Sequence, residues 1–119
     1  MILVADDDLG LLNTLVKALE IEGFGVLAVS NGKDALDAAL KHHPDLIIID
    51  EKMPELSGAE MIEQLRNDEW GMQANIVMLT NIDATNDINT ALKLGVSDYL
   101  VKSDLHITQI VEIVKNKLK

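Results

Sequence analysis

This 119-residue sequence predicts an α/β fold built on a doubly wound parallel sheet, and three observations carry that prediction. Five short apolar runs alternate with stretches whose apolar residues recur at helical spacing. The run Leu46-Ile47-Ile48-Ile49 is apolar at every position and mostly β-branched, which marks a strand buried on both faces in the middle of a sheet. Two runs end on acids, Ala5 on Asp6-Asp7-Asp8 and Ile49 on Asp50, although periodicity demands no acid at either place.

Each element has a local reason. Ile2-Leu3-Val4-Ala5 is the first strand. Leu11, Leu12, Leu15, Val16 and Leu19 form the first helix, with Asp7 or Asp8 as N-cap and Gly23 as its stop. Gly25-Val26-Leu27-Ala28-Val29 is the second strand, closed by the turn signal Asn31-Gly32. Ala35, Leu36, Ala39 and Leu40 mark the second helix, which ends at His42-His43 before Pro44. The third strand stops at Asp50, since Pro54 behind it has no N–H with which to extend a ladder. Met61, Ile62 and Leu65 mark the third helix, after Gly58. Ile76–Thr80 is the fourth strand, and Ile88, Ala91, Leu92 and Leu94 form a fourth helix stopped by Gly95. Tyr99–Lys102 is the fifth strand, and Ile107, Ile110, Val111 and Val114 belong to a fifth helix capped by Ser103 or Asp104.

The composition bounds the function. The length fits one domain, residues 1–119, with a real core. No apolar run reaches the length of a membrane span and no signal peptide is visible, so a cytoplasmic setting without membrane contact is expected. The absence of cysteine excludes disulfides and thiolate metal sites. A net charge of −10 argues against direct nucleic-acid binding and suits cations or a basic partner. Phe24, Trp70 and Tyr99 are too few aromatics for a base-stacking platform.

Right-handed crossovers and the common strand order 2-1-3-4-5 place the switch point between strands 1 and 3, where open α/β sheets bind ligands. Asp6, Asp7 and Asp50 then meet there. Two like charges about 4 Å apart repel by about 4 kcal/mol at an effective dielectric near 20, so one acid takes a proton or a cation sits among them. All-oxygen donors with room for water suit Mg²⁺. Asp8 is better read as a helix cap. Thr80 ends strand 4 and Lys102 ends strand 5, bringing a hydroxyl and an ammonium to the same edge. Alone, Thr80 reads as an ordinary strand end and Lys102 as a snorkelling lysine. Together with the acids they form the set that a carboxylate nucleophile needs for phosphoryl transfer.

The whole chain resembles a receiver domain of the two-component response-regulator family, similar to the single-domain chemotaxis type. The carrying motifs are Leu3-Val4-Ala5-Asp6-Asp7-Asp8, Asp50-Glu51-Lys52-Met53-Pro54 with Gly58, Met78-Leu79-Thr80 and Asp98-Tyr99-Leu100-Val101-Lys102, supported by Asn31-Gly32 and Ala91-Leu92-Lys93-Leu94-Gly95. The resemblance implies a flavodoxin-like sheet with five helices and a signalling switch rather than an enzyme acting on outside substrates. It implies that Asp50 accepts a phosphoryl group from a phosphohistidine on a sensor kinase or phosphotransfer protein. It implies Mg²⁺ held by Asp6, Asp7, Asp50 and the backbone carbonyl of Lys52, with Thr80 and Lys102 on the phosphoryl oxygens. Tyr99 would switch with Thr80 and remodel the face formed by the fourth helix, fifth strand and fifth helix, for a downstream protein or a second copy.

Two residues depart from the family pattern. Ser103 stands where a proline usually follows a cis bond, and a non-proline cis bond costs about 3–4 kcal/mol, so Lys102-Ser103 is expected to be trans. Asn81 is bulkier than the usual residue after Thr80. Lys52 offers a second cation near Asp50, or is simply an exposed loop lysine. His42 and His43 read as residues of a helix C-terminus and His106 as part of the first turn of the last helix, all without catalytic partners, and Trp70 as packing over the loop after the third helix.

The competing readings are a pseudo-receiver that never takes phosphate and a flavodoxin-like cofactor binder or related phosphatase. The full acid set with Thr80 and Lys102 counts against the first, the acidic first loop Asp6-Asp7-Asp8-Leu9-Gly10 against the cofactor binder, and the lack of room for a cap insertion against a phosphatase with its nucleophile on strand 1. If the chain ends with its fifth helix, no output module is expected, and a domain cut from a longer regulator would read the same.

Overall fold

The computed structural model describes residues 1–80, 92–104 and 106–118. Its strands are β1 (Ile2–Ala5), β2 (Val26–Val29), β3 (Leu46–Asp50), β4 (Ile76–Thr80) and β5 (Asp98–Val101). All pair in parallel in the order β2-β1-β3-β4-β5. β3 lies at the centre and is buried from Leu46 to Asp50, as its unbroken apolar run requires.

Alternate strand residues feed two cores. Ile2, Val4, Ile48, Val77 and Leu79 pack with α1 (Leu9–Ile21) and the last helix (Ile107–Lys117) on one face. Leu3, Ala5, Ile47, Ile49 and Met78 pack with α2 (Gly32–His42) and α3 (Gly58–Leu65) on the other. The period of two along each strand thus decides which helices cover which side.

The helix ends follow local chemistry. Asp8, rather than Asp7, caps α1 by accepting from the Leu11 N–H at 3.2 Å. Asn31 caps α2 by accepting from Asp34, so the expected turn pair is the start of a helix, with Gly32 its first residue. Ser57 and Glu60 form a reciprocal capping box at α3.

Two expectations near the end of the chain need correction. β5 spans Asp98–Val101, and Lys102 opens a 3-10 turn, Lys102–Asp104, instead of ending the strand. That turn uses up Ser103 and Asp104, so the N-cap of the last helix is His106, whose N–H donates to the Gln109 side chain at 2.9 Å. His106 therefore precedes the first turn rather than lying in it. The expected fourth helix falls mainly on residues 81–91, as does Asn81, outside the described residues. Of the five expected helices, four stand among the described residues.

Candidate functional site: an acidic crevice at the carboxyl edge

Sheet register assembles the site. β1 and β3 pair Ala5 with Ile49, so the next residues, Asp6 and Asp50, emerge side by side. β3 and β4 pair Asp50 with Leu79, and β4 and β5 pair Thr80 with Val101, which brings Thr80 and Lys102 to the same lip. Asp6, Asp50 and Thr80 are 0%, 4% and 1% exposed, although none is apolar. Such burial of polar groups at one edge is costly unless they are paired.

The pairing is partial. Lys102 Nζ lies 2.7 Å from Asp6 Oδ2 and 3.3 Å from Asp50 Oδ1. Asp6 Oδ1 accepts the Asp8 N–H at 2.9 Å, which folds the turn into α1. Asp6 Oδ2 is buried and makes no aligned hydrogen bond; the ammonium is its ion contact. Asp6, Asp7 and Asp50 each bring a carboxylate oxygen within 4.8 Å of the others. Asp7, Asp8, Asp50, Lys52, Thr80 and Lys102 line a cavity of about 200 Å³.

The electrostatics record this imbalance. Burial, with the Asp6 charge added, pushes Asp50 up to about 7 against the opposing pull of Lys102. Burial alone would depress the Lys102 ammonium, but its contact with Asp6 and the charges of Asp50 and Asp6 outweigh that and hold it above the ordinary lysine value. One buried ammonium does not neutralise three acids. An all-oxygen cluster of this kind fits a hard divalent cation with room for water.

The other predicted residues fall as follows. Lys52 is exposed but lines the cavity. Asp8, read only as a cap, lines it too while capping α1. Tyr99 sits on β5 opposite Met78, half-buried on the α2–α3 side, and is not part of the lining. Lys102-Ser103 is trans, as expected without proline. His43 ends α2 and stacks on Trp70, ring centroids 4.3 Å apart and 6° from parallel, so both belong to the packing between α2 and the loop before β4. No described helix is long and apolar enough to cross a membrane.

Comparison with known proteins agrees with this geometry. Residues 2–115 match the family model of the response regulator receiver domain. The alkaline phosphatase synthesis transcriptional regulatory protein PhoP of Bacillus subtilis is 39% identical over 101 residues, covering 85% of this chain and 41% of the relative. The probable transcriptional regulator ycf27 of Porphyridium aerugineum is 36% identical over the same shares. The chain thus spans about two-fifths of the length of these curated relatives. Among solved structures, the receiver domain of the Francisella response regulator 1452 superposes with a TM-score of 0.88 at 29% identity, covering 98% of this chain and 93% of that one. The receiver domain of a signal transduction histidine kinase from Syntrophus aciditrophicus also reaches 0.88, at 27% identity over 98% and 88%. With the sheet order, the edge acids and nearly the full length in agreement, this chain belongs to the receiver-domain family of two-component response regulators.

Proposed function

We propose that this domain is a phosphorylation-driven switch of the cytoplasm in which Asp50 accepts a phosphoryl group from a phosphohistidine on a sensor kinase or phosphotransfer protein. The observation that carries the reading is the shared crevice of Asp6, Asp7, Asp50, Thr80 and Lys102 at the ends of separate strands. Asp6, Asp7, Asp50 and the backbone carbonyl of Lys52 would hold Mg²⁺, which supplies positive charge for the phosphoryl oxygens.

The chain's own groups account for the rest of the chemistry. An ionised Asp50 oxygen attacks phosphorus, an O–P bond forms and the P–N bond of the donor breaks. The donor nitrogen keeps the bonding pair and takes up a proton. Lys102, already within ion-pair distance of Asp50, offsets the added charge, and Thr80 offers a hydroxyl donor at the same lip. A dianion gained at this edge biases a two-state surface through Thr80 and Tyr99. The output surface is the one around β5 and the last helix, read by a downstream protein or a second copy. Control of transcription is a property named for PhoP and ycf27, and the matched segment covers only part of each.

The test is intact mass after incubation with acetyl phosphate and Mg²⁺. The wild type should gain one phosphoryl group, and Asp50→Asn or chelation of the metal should prevent it. No gain in the folded wild type would leave a pseudo-receiver acting through interaction alone.

A further inference from the structure

We infer that Gly32, at the start of α2 and outside the crevice, is a positioning residue for the loop that carries Lys52. The inference rests on the metal reading above. A Cβ built on Gly32 would fall 1.8 Å from the Leu56 carbonyl oxygen, 2.6 Å from its carbon and 2.8 Å from Leu56 Cβ. Real side chains do not approach backbone that closely, so α2 and the loop touch where only hydrogen fits.

The same loop is gripped at its other end. A Cβ on Gly58 would lie 2.4 Å from the Asp50 carbonyl oxygen and 3.0 Å from Glu51 Cα. The Gly58 N–H donates to the Glu51 carbonyl at 2.7 Å, and the Glu51 N–H to Leu79 at 3.0 Å. The segment from Glu51 to Ser57 is therefore held between α2, α3 and β4. Lys52, whose carbonyl is the proposed fourth protein ligand, lies inside it.

A methyl at residue 32 must move one partner. α2 resists, because Ala35 and Ala39 are fully buried and Asn31 locks its first turn. The loop yields, since Lys52, Pro54 and Glu55 are exposed. Asp6 and Asp50 stay where the strands hold them, so the carbonyl ligand shifts against a fixed set of carboxylates. Hard-ion coordination tolerates little of this, and disturbing a supporting contact typically weakens metal binding by about 10–100-fold.

The experiment is Mg²⁺ titration by calorimetry of the wild type, Gly32→Ala and Gly25→Ala, with thermal melts of the metal-free proteins. Gly25 has open space around an added Cβ and serves as the control. Gly32→Ala should bind Mg²⁺ at least about tenfold more weakly in the folded protein, with Gly25→Ala unchanged. A lowered melting temperature with an unchanged binding constant would overturn the positioning role alone. Absence of saturable binding in the wild type would overturn the metal reading itself. Should Gly32→Ala fail to fold, the wild-type amide spectrum decides, because coupling is reciprocal: Mg²⁺ should shift the Gly32 and Leu56 amides, and an unmoved Gly32 would refute the inference.

Discussion

Among the described residues, each end of the sheet ties down a cation, and the two are treated differently. At the amino edge, Arg66 follows α3 and gives its guanidinium to four carbonyls: Nε to Leu94 at 2.8 Å, Nη1 to Gly71 at 2.7 Å and Ala74 at 2.9 Å, and Nη2 to Gly95 at 3.1 Å. At the carboxyl edge, Lys102 faces Asp6 and Asp50, with Asp7 close by. The first cation meets neutral acceptors that need a donor, and each of its three guanidinium nitrogens has one. The second meets more negative charge than it can cancel. Satisfied polar groups build; unbalanced ones react.

The contrast can be broken by substitution, and the largest effect belongs to the unbalanced end. Lys102→Met should cost about 3 kcal/mol of metal-free stability at pH 8 by denaturant unfolding, since buried acids lose their counter-charge. The loss should shrink at pH 5, where Asp50 carries its proton. A flat pH dependence would mean that the acids do not sense the ammonium.

Arg66→Met should cost about 2–3 kcal/mol, because carbonyls from two loops lose their donor together. Its penalty should not vary between pH 5 and pH 8, as its acceptors do not titrate. A strong pH dependence there would erase the distinction between the two clusters.

Asp50→Asn should change stability in the opposite direction. Asp50 titrates near 7 in the folded protein against an ordinary value of 3.8, so between those values the native state holds a proton that the unfolded chain has released. Stability of the metal-free wild type therefore falls as pH rises from about 4 to about 7, fully retained below and lost above. Asn lacks this penalty and should gain about 2 kcal/mol at pH 8, measured as a higher melting temperature. Equal melting temperatures at pH 8 would refute the raised titration.

The smallest expected effect concerns the helix that joins the two ends. Ser57→Ala removes half of the α3 capping box and should cost about 1 kcal/mol in urea unfolding. A cost above that of Arg66→Met would show that α3 is secured from its amino end instead.

The sequence made most of the carboxyl edge legible. An unbroken apolar run, mostly β-branched and ending on Asp50, defined a central strand, and Ile76–Thr80 did the same for its neighbour. Acids directly after apolar runs then had only one place to go. The amino edge was not legible, because Arg66 lies in a polar stretch and its acceptors come from residues up to 29 positions away. Local pattern also failed at Lys102, where a 3-10 turn displaced the helix cap to His106. Gly32 read as a turn residue because sequence reports a missing side chain and not what occupies its space.

The stacking of His43 on Trp70 gives the molecule a native optical baseline. Its single indole sits at the junction of α2 with the loop before β4, sharing no lining residue with the acidic crevice. Emission should stay constant while ions or phosphate load the far edge, so any drift in fluorescence would report a disturbance that has travelled the length of the sheet.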